Sequence, residues 1–154
     1  MEIERKFLVE SEPEAEPSER REIVQGYLAL ADDRGGAEVR LRRWGGGRVL
    51  TVKGGTGRTR VEEEIEVDRD VFESLWVLTE GRRIAKTRHV IQHGDLEIEL
   101  DVFRGALSGL RIAEVEFPDE DSADAFEPPG WFGEEVTGDR TYLNESLATD
   151  GAPS

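Results

Sequence analysis

Along most of this chain, apolar and charged side chains trade places at every second position, a period that builds strands rather than helices. Stretches 2–9, 21–30, 37–44, 48–54, 59–68, 83–93, 95–103 and 110–117 carry it, which predicts eight strands. Asp32 through Gly36, Gly45-Gly46-Gly47, Gly54 through Gly57 and His93-Gly94-Asp95 supply turns short enough for antiparallel hairpins. The segment 10–20 is polar and holds Pro13 and Pro17, so it reads as a loop or irregular crossover. Three helices fit the remainder: one capped by Asp68 or Asp70, running through Trp76 and ending near Gly81; one from Asp119 to Phe126, stopped by Pro128-Pro129; and a terminal turn from Asn144 to Ala148. Residues 1–148 are expected to form one domain and 149–154 a frayed tail.

Composition narrows the function. With no cysteine, the chain forms no disulfide, thiolate zinc site or iron–sulfur cluster, and has no cysteine nucleophile. A net charge of −15 over 154 residues lacks the basic footprint of a nucleic-acid or anionic-membrane binder. No apolar run approaches the length of a membrane span. The expectation is a soluble, cytoplasmic protein.

The polar side of the strands is unusual. Residues two apart share a face, which collects Glu2, Glu4 and Lys6 on the first strand and Glu38, Arg40 and Arg42 on the third. Lys53 follows on the fourth, Glu62, Glu64 and Glu66 on the fifth, and Lys86 and Arg88 on the sixth. Glu97, Glu99 and Asp101 stand on the seventh, Glu114 and Glu116 on the eighth. One such strand would read as the wet side of an ordinary antiparallel sheet. Here the charge is nearly unbroken and sorted by strand, cations on some and carboxylates on others. Eight strands suffice to close a barrel, and closure would make this face a wet lumen, because burying so many charges dry costs several kcal/mol per ion, on the order of the usual ionic penalty. Arginine forks and lysines suit phosphate oxygens. Paired carboxylates suit magnesium or manganese. The pattern therefore points to phosphate plus a divalent metal, without choosing a substrate. No serine–histidine arrangement supports covalent catalysis.

Glu2-Ile3-Glu4-Arg5-Lys6 resembles the Glu-x-Glu-x-Lys signature that opens the CYTH superfamily, the triphosphate tunnel metalloenzymes. Arg40-Leu41-Arg42, Lys53, Glu62-Glu63-Glu64, Lys86-Thr87-Arg88 and Glu114-Val115-Glu116 follow in that family's order, and the stretch from Pro128 to Thr137 resembles its small bacterial members. The resemblance implies a closed eight-stranded antiparallel tunnel with a few peripheral helices, hydrolysing or cyclising triphosphates with Mg²⁺ or Mn²⁺. It implies that Lys6, Arg40, Arg42, Lys53, Lys86 and Arg88 bind the triphosphate. Glu2, Glu4, Glu62, Glu64, Asp101, Glu114 and Glu116 would hold metal or position water. Tyr27 would pair with Lys6 as a catalytic partner, and Arg140 stands where such members carry a lysine. Inorganic tripolyphosphate, split to pyrophosphate and orthophosphate, is the first expected substrate. An adenylate cyclase on the same tunnel and a non-catalytic polyphosphate- or nucleotide-binding module are the alternatives. The expected partner is a small polyanion, neither nucleic acid nor membrane, and the chain is expected as a monomer or homodimer.

Overall fold

The computed structural model describes residues 3–31, 36–54 and 61–153. Glu2 and the turn stretches at 32–35 and 55–60 lie outside the described residues. The alternating segments form β1 (Ile3–Leu8), β2 (Glu19–Ala29), β3 (Ala37–Trp44), β4 (Gly47–Gly54), β5 (Val61–Glu66), β6 (Arg83–His93), β7 (Leu96–Arg104) and β8 (Arg111–Phe117). All pair antiparallel in one sheet of order β1-β8-β7-β6-β2-β3-β4-β5.

Among the described residues the sheet does not close, contrary to the closed barrel expected: β1 and β5 are its two ends. The reason lies on the free edge of β1, where the stretch 133–136 already takes the hydrogen bonds. Gly133 N donates to Leu8 O at 2.7 Å, Leu8 N to Glu134 O at 2.8 Å, and Val136 N to Lys6 O at 2.8 Å. A Cβ on Gly133 would sit 2.9 Å from Leu8 O, so this close approach requires glycine. Arg5, on the outer side of β1, reinforces the strap by donating to the Ala123 and Phe126 carbonyls and pairing with Glu135 at 2.7 Å. The sheet curls until both end strands face one cavity instead.

Three helices lie outside the strands. Asp68 caps α1 (Arg69–Trp76) by accepting from Val71 N at 2.8 Å, and a 3₁₀ turn, Val77–Thr79, prolongs it. Asp119 caps α2 (Glu120–Ala125) in the same way, through Ser122 N at 2.7 Å. The terminal helix α3 (Asn144–Asp150) runs through Asp150, into the stretch expected to fray from 149. Convex-side apolar residues Ile98, Leu100, Val115 and Phe117 pack with Trp131 and Ala123 into one core. A second core uses the concave side itself: Ile84, Phe103 and Ile112 meet Leu107, in the 3₁₀ turn after β7, and Leu147 of α3. The concave rows of β6, β7 and β8 are thus apolar at one end, where Leu147 of α3 packs on Ile84, Phe103 and Ile112, and carry their charges farther along.

Candidate active site

The concave face encloses a cavity of about 1190 Å³. Strand alternation aims one set of side chains into it: Glu4 and Lys6 from β1, Tyr27 from β2, Arg40 and Arg42 from β3 and Lys53 from β4. Glu62 and Glu64 from β5, Arg88 from β6, Asp101 from β7, and Glu114 and Glu116 from β8 complete the ring. Of the residues expected in the site, Glu2 lies outside the described residues, and Lys86 is placed behind the wall rather than on it.

Cations gather on one side. Arg40 is buried, and its Nε has no hydrogen-bond partner among the described residues. Arg42 spends only its Nε on a neutral acceptor, Gln25 Oε1, at 3.0 Å. Burial, with the neighbouring charges of Arg40 and Arg88, pulls the Arg42 pKa down to about 10. Arg88 instead grips carboxylates, donating from Nε and Nη2 to Asp101 at 2.8 and 3.0 Å and pairing through Nη1 with Glu99 at 2.7 Å. Burial opposes its charge, but the Asp101 hydrogen bonds and nearby acids leave its pKa above the ordinary value. Lys86, wholly buried, donates to Asp101 Oδ2 at 2.8 Å. Burial lowers the lysine to about 8, while Lys86 and Arg88 overcome burial at Asp101 and hold it at about 2. Period two placed Lys86 on the correct row, but at the apolar end where Phe103 lies 5.6 Å from its ammonium. Asp101 lines the cavity with its oxygens committed to two cations. Among the described residues Lys53 makes only a long, exposed contact of 3.8 Å with Glu62, a pair that contributes little.

Carboxylates gather on the β7, β8 and β1 side. Glu116 stands opposite Glu4 across β8 and β1, and Glu114 stands opposite Lys6 on one side and Glu99 on the other. Burial raises the Glu99 pKa against the pull of Arg88. Among the described residues, no three acidic side chains already converge as metal ligands. The donor chemistry is nonetheless all hard oxygen, which fits a magnesium- or manganese-sized cation that keeps several waters.

The expected pairing of Lys6 with Tyr27 takes another form. Lys6 Nζ donates to the Tyr142 carbonyl at 3.4 Å, and the Tyr27 hydroxyl accepts from Gln25 Nε2 at 3.2 Å. Both side chains line the cavity. Burial, with Glu38 nearby, pushes the Tyr27 phenol up to about 12. Arg140 lines an adjoining cavity of about 510 Å³ that shares Glu4 and Lys6. Sequence reasoning missed Gln25, Tyr142 and Glu145 as site residues; the last two reach the cavity only because α3 and the turn before it fold back over its apolar end.

The description "CYTH domain" matches residues 1–147. The chain is 49% identical over 148 residues to the inorganic triphosphatase of Nitrosomonas europaea, covering 96% of each. It is 39% identical over 148 residues to the inorganic triphosphatase of Acetivibrio thermocellus, covering 95% of this chain and 92% of that one. A solved structure of an inorganic triphosphatase superposes with a TM-score of 0.81 at 46% identity, covering 99% of this chain and 97% of the other. Strand order, charge-lined cavity and near-complete sequence match agree, and the chain belongs to the CYTH domain family.

Proposed function

We propose that this protein hydrolyses triphosphates with the help of a divalent cation, inorganic tripolyphosphate foremost, releasing pyrophosphate and orthophosphate. One observation carries the reading: Arg40 is buried and Arg42 half-buried beside it, and among the described residues no carboxylate is bonded to either and the Arg40 Nε has no acceptor. Leaving such a donor unmatched in a poorly solvated site is costly. Phosphate oxygens supply the missing acceptors and the missing negative charge. The names of the 49% and 39% identical relatives point the same way.

In this reading the phosphate chain lies along the curved sheet, with the seam between β1 and β5 open. Arg40, Arg42, Arg88 and Lys53 hold its non-bridging oxygens. Glu4, Glu114 and Glu116 would hold the cation, with Glu62 and Glu64 facing the chain from the other end of the sheet. When bound, the cation neutralises phosphate charge and so eases attack on phosphorus. A carboxylate of the acidic wall accepts the proton of the attacking water. The P–O bond to the leaving pyrophosphate breaks as the new one forms, and Lys6 stabilises charge at the scissile end.

The test is product analysis with tripolyphosphate, ATP and thiamine triphosphate, each with Mg²⁺ and with Mn²⁺. Orthophosphate and pyrophosphate from tripolyphosphate, faster than from either organic triphosphate, is the expected result. Pyrophosphate with cyclic AMP from ATP would make the chain a cyclase. Binding without turnover would make it a polyphosphate-binding module.

A further inference from the structure

Gln25 carries no charge and does not line the cavity, yet it is fully buried at the root of the cation wall. We propose that Gln25 is a positioning residue whose carboxamide fixes the Arg42 fork and turns the Tyr27 hydroxyl so that its proton points at the phosphate chain. The inference rests on the polyphosphate reading of the cavity.

Donor chemistry sets the orientation of the amide. The Nε–H of Arg42 can only donate, so the atom it meets at 3.0 Å must be the carbonyl Oε1. That leaves Nε2, a donor only, facing the Tyr27 oxygen at 3.2 Å. The flipped amide would set donor against donor at Arg42, with Gln25 fully buried and Arg42 half-buried. The tyrosine oxygen therefore accepts from Gln25, and its own O–H remains for the cavity that Tyr27 lines. Arg42 has its Nε committed to Gln25, and its terminal nitrogens, bonded to no other described residue, serve the same cavity. The high pKa of the Tyr27 phenol, pushed up mainly by burial, keeps that proton in place at neutral pH.

The strand geometry is built for this role. Gln25 stands opposite Arg42 and Tyr27 opposite Arg40 in the β2–β3 ladder, so one amide reaches across the ladder and along its own strand. Between them, Gly26 meets the turn after α1: a Cβ there would lie 2.7 Å from Thr79 Cβ. The β2 backbone is thereby pressed from the convex side at the residue between the two functional side chains. The Gln25-Gly26-Tyr27 run thus works as a unit.

The experiment compares steady-state tripolyphosphate hydrolysis with Mg²⁺ for the wild type, Gln25→Met, Tyr27→Phe and the double variant. Loss of the Arg42 tether should raise KM about tenfold, the size expected for a hydrogen bond to a charged group. Loss of the Tyr27 tether should lower kcat, and that kcat effect of Gln25→Met should vanish in the Tyr27→Phe background while the KM effect persists. Fully multiplicative kcat effects would overturn the proposal, as would Gln25→Met kinetics within about twofold of wild type on both constants, well below a lost charged hydrogen bond. NMR of the wild-type protein provides the second measurement should Gln25→Met not fold. The Gln25 carboxamide protons should show through-space contacts to the Tyr27 ring; contacts to the Arg42 Nε–H instead would sink the assignment. A wild type that does not hydrolyse tripolyphosphate overturns the polyphosphate reading, while the carboxamide contacts still decide the orientation of Gln25.

Discussion

Arg42 and Arg43 are adjacent, equally cationic, and pointed to opposite sides of β3. Arg42 lines the cavity and is held by Gln25, whereas Arg43 is exposed and lies over the Phe72 ring at 5.7 Å. Removing the Arg42 fork should cost about 1.5–3 kcal/mol of transition-state binding, the range for a hydrogen bond to a charged group. Arg42→Ala should therefore lower tripolyphosphate kcat/KM by about one to two orders of magnitude, with Arg42→Lys recovering only part because an ammonium lacks the bidentate geometry. Arg43→Ala should stay close to wild type under the same salt and cation. Equal losses at the two positions would mean that the phosphate chain is not held on the concave face. Which face each arginine takes was legible in the sequence, because period two fixes direction. Depth along a row was not: Lys86 and Arg88 read alike, yet one is sealed at the apolar end beside Phe103 and the other reaches the cavity. Gln25 escaped notice because its row on β2, Arg21, Ile23, Gln25, Tyr27 and Ala29, lacks the unbroken charge that marks the other strands.

At the scale of elements, strands and caps followed local chemistry, so alternation and the Asp68 and Asp119 caps located them within a few residues. The failure to close came from a segment with no periodic signature. Gly133 through Val136 follow a proline pair and a glycine, and nothing in them announces that they will take the edge of β1. That strap has a sharp requirement. Gly133→Ala would drive a Cβ to 2.9 Å from the Leu8 carbonyl oxygen, a backbone atom that cannot swing aside. Its cost should be about 1–3 kcal/mol, as for other overpacking, read as a lower urea midpoint with an unchanged slope. Gly130→Ala is the control: a Cβ there meets nothing within 4 Å, so stability should hold. If both substitutions behave alike, the contact at β1 is not what limits residue 133. Because Lys6 lies in the strapped strand and accepts from Val136 through its carbonyl, Gly133→Ala should also impair turnover.

Over the whole molecule, net charge and local charge pull in opposite directions. At −15 the chain repels a polyanion at long range, so attraction must come from cations concentrated on one wall of the cavity. The opposite wall has the converse problem. Glu116 faces Glu4 across β8 and β1, and like charges directly opposite in an antiparallel pair destabilise it. In the proposed mechanism a divalent cation would turn that repulsion into coordination. Function and stability should then separate in one substitution. Glu116→Gln keeps the shape and removes one charge, so the chelator-treated protein should become more stable by about 0.5 kcal/mol, within the range for cross-strand pairs. Hydrolysis should nevertheless collapse, and the Mg²⁺ concentration for half-maximal residual activity should rise. Adding Mg²⁺ should raise the melting temperature of the wild type more than that of Glu116→Gln, since an ion that binds only the folded state stabilises it by mass action. Glu63, on the exposed β5 and between the two cavity-facing glutamates, supplies the comparison: Glu63→Gln should change neither the cation requirement nor the melting response. A chelated wild type that hydrolyses tripolyphosphate at full rate would remove the cation from the mechanism. A Glu116→Gln protein with unaltered Mg²⁺ dependence would move the site off the β1–β8 wall.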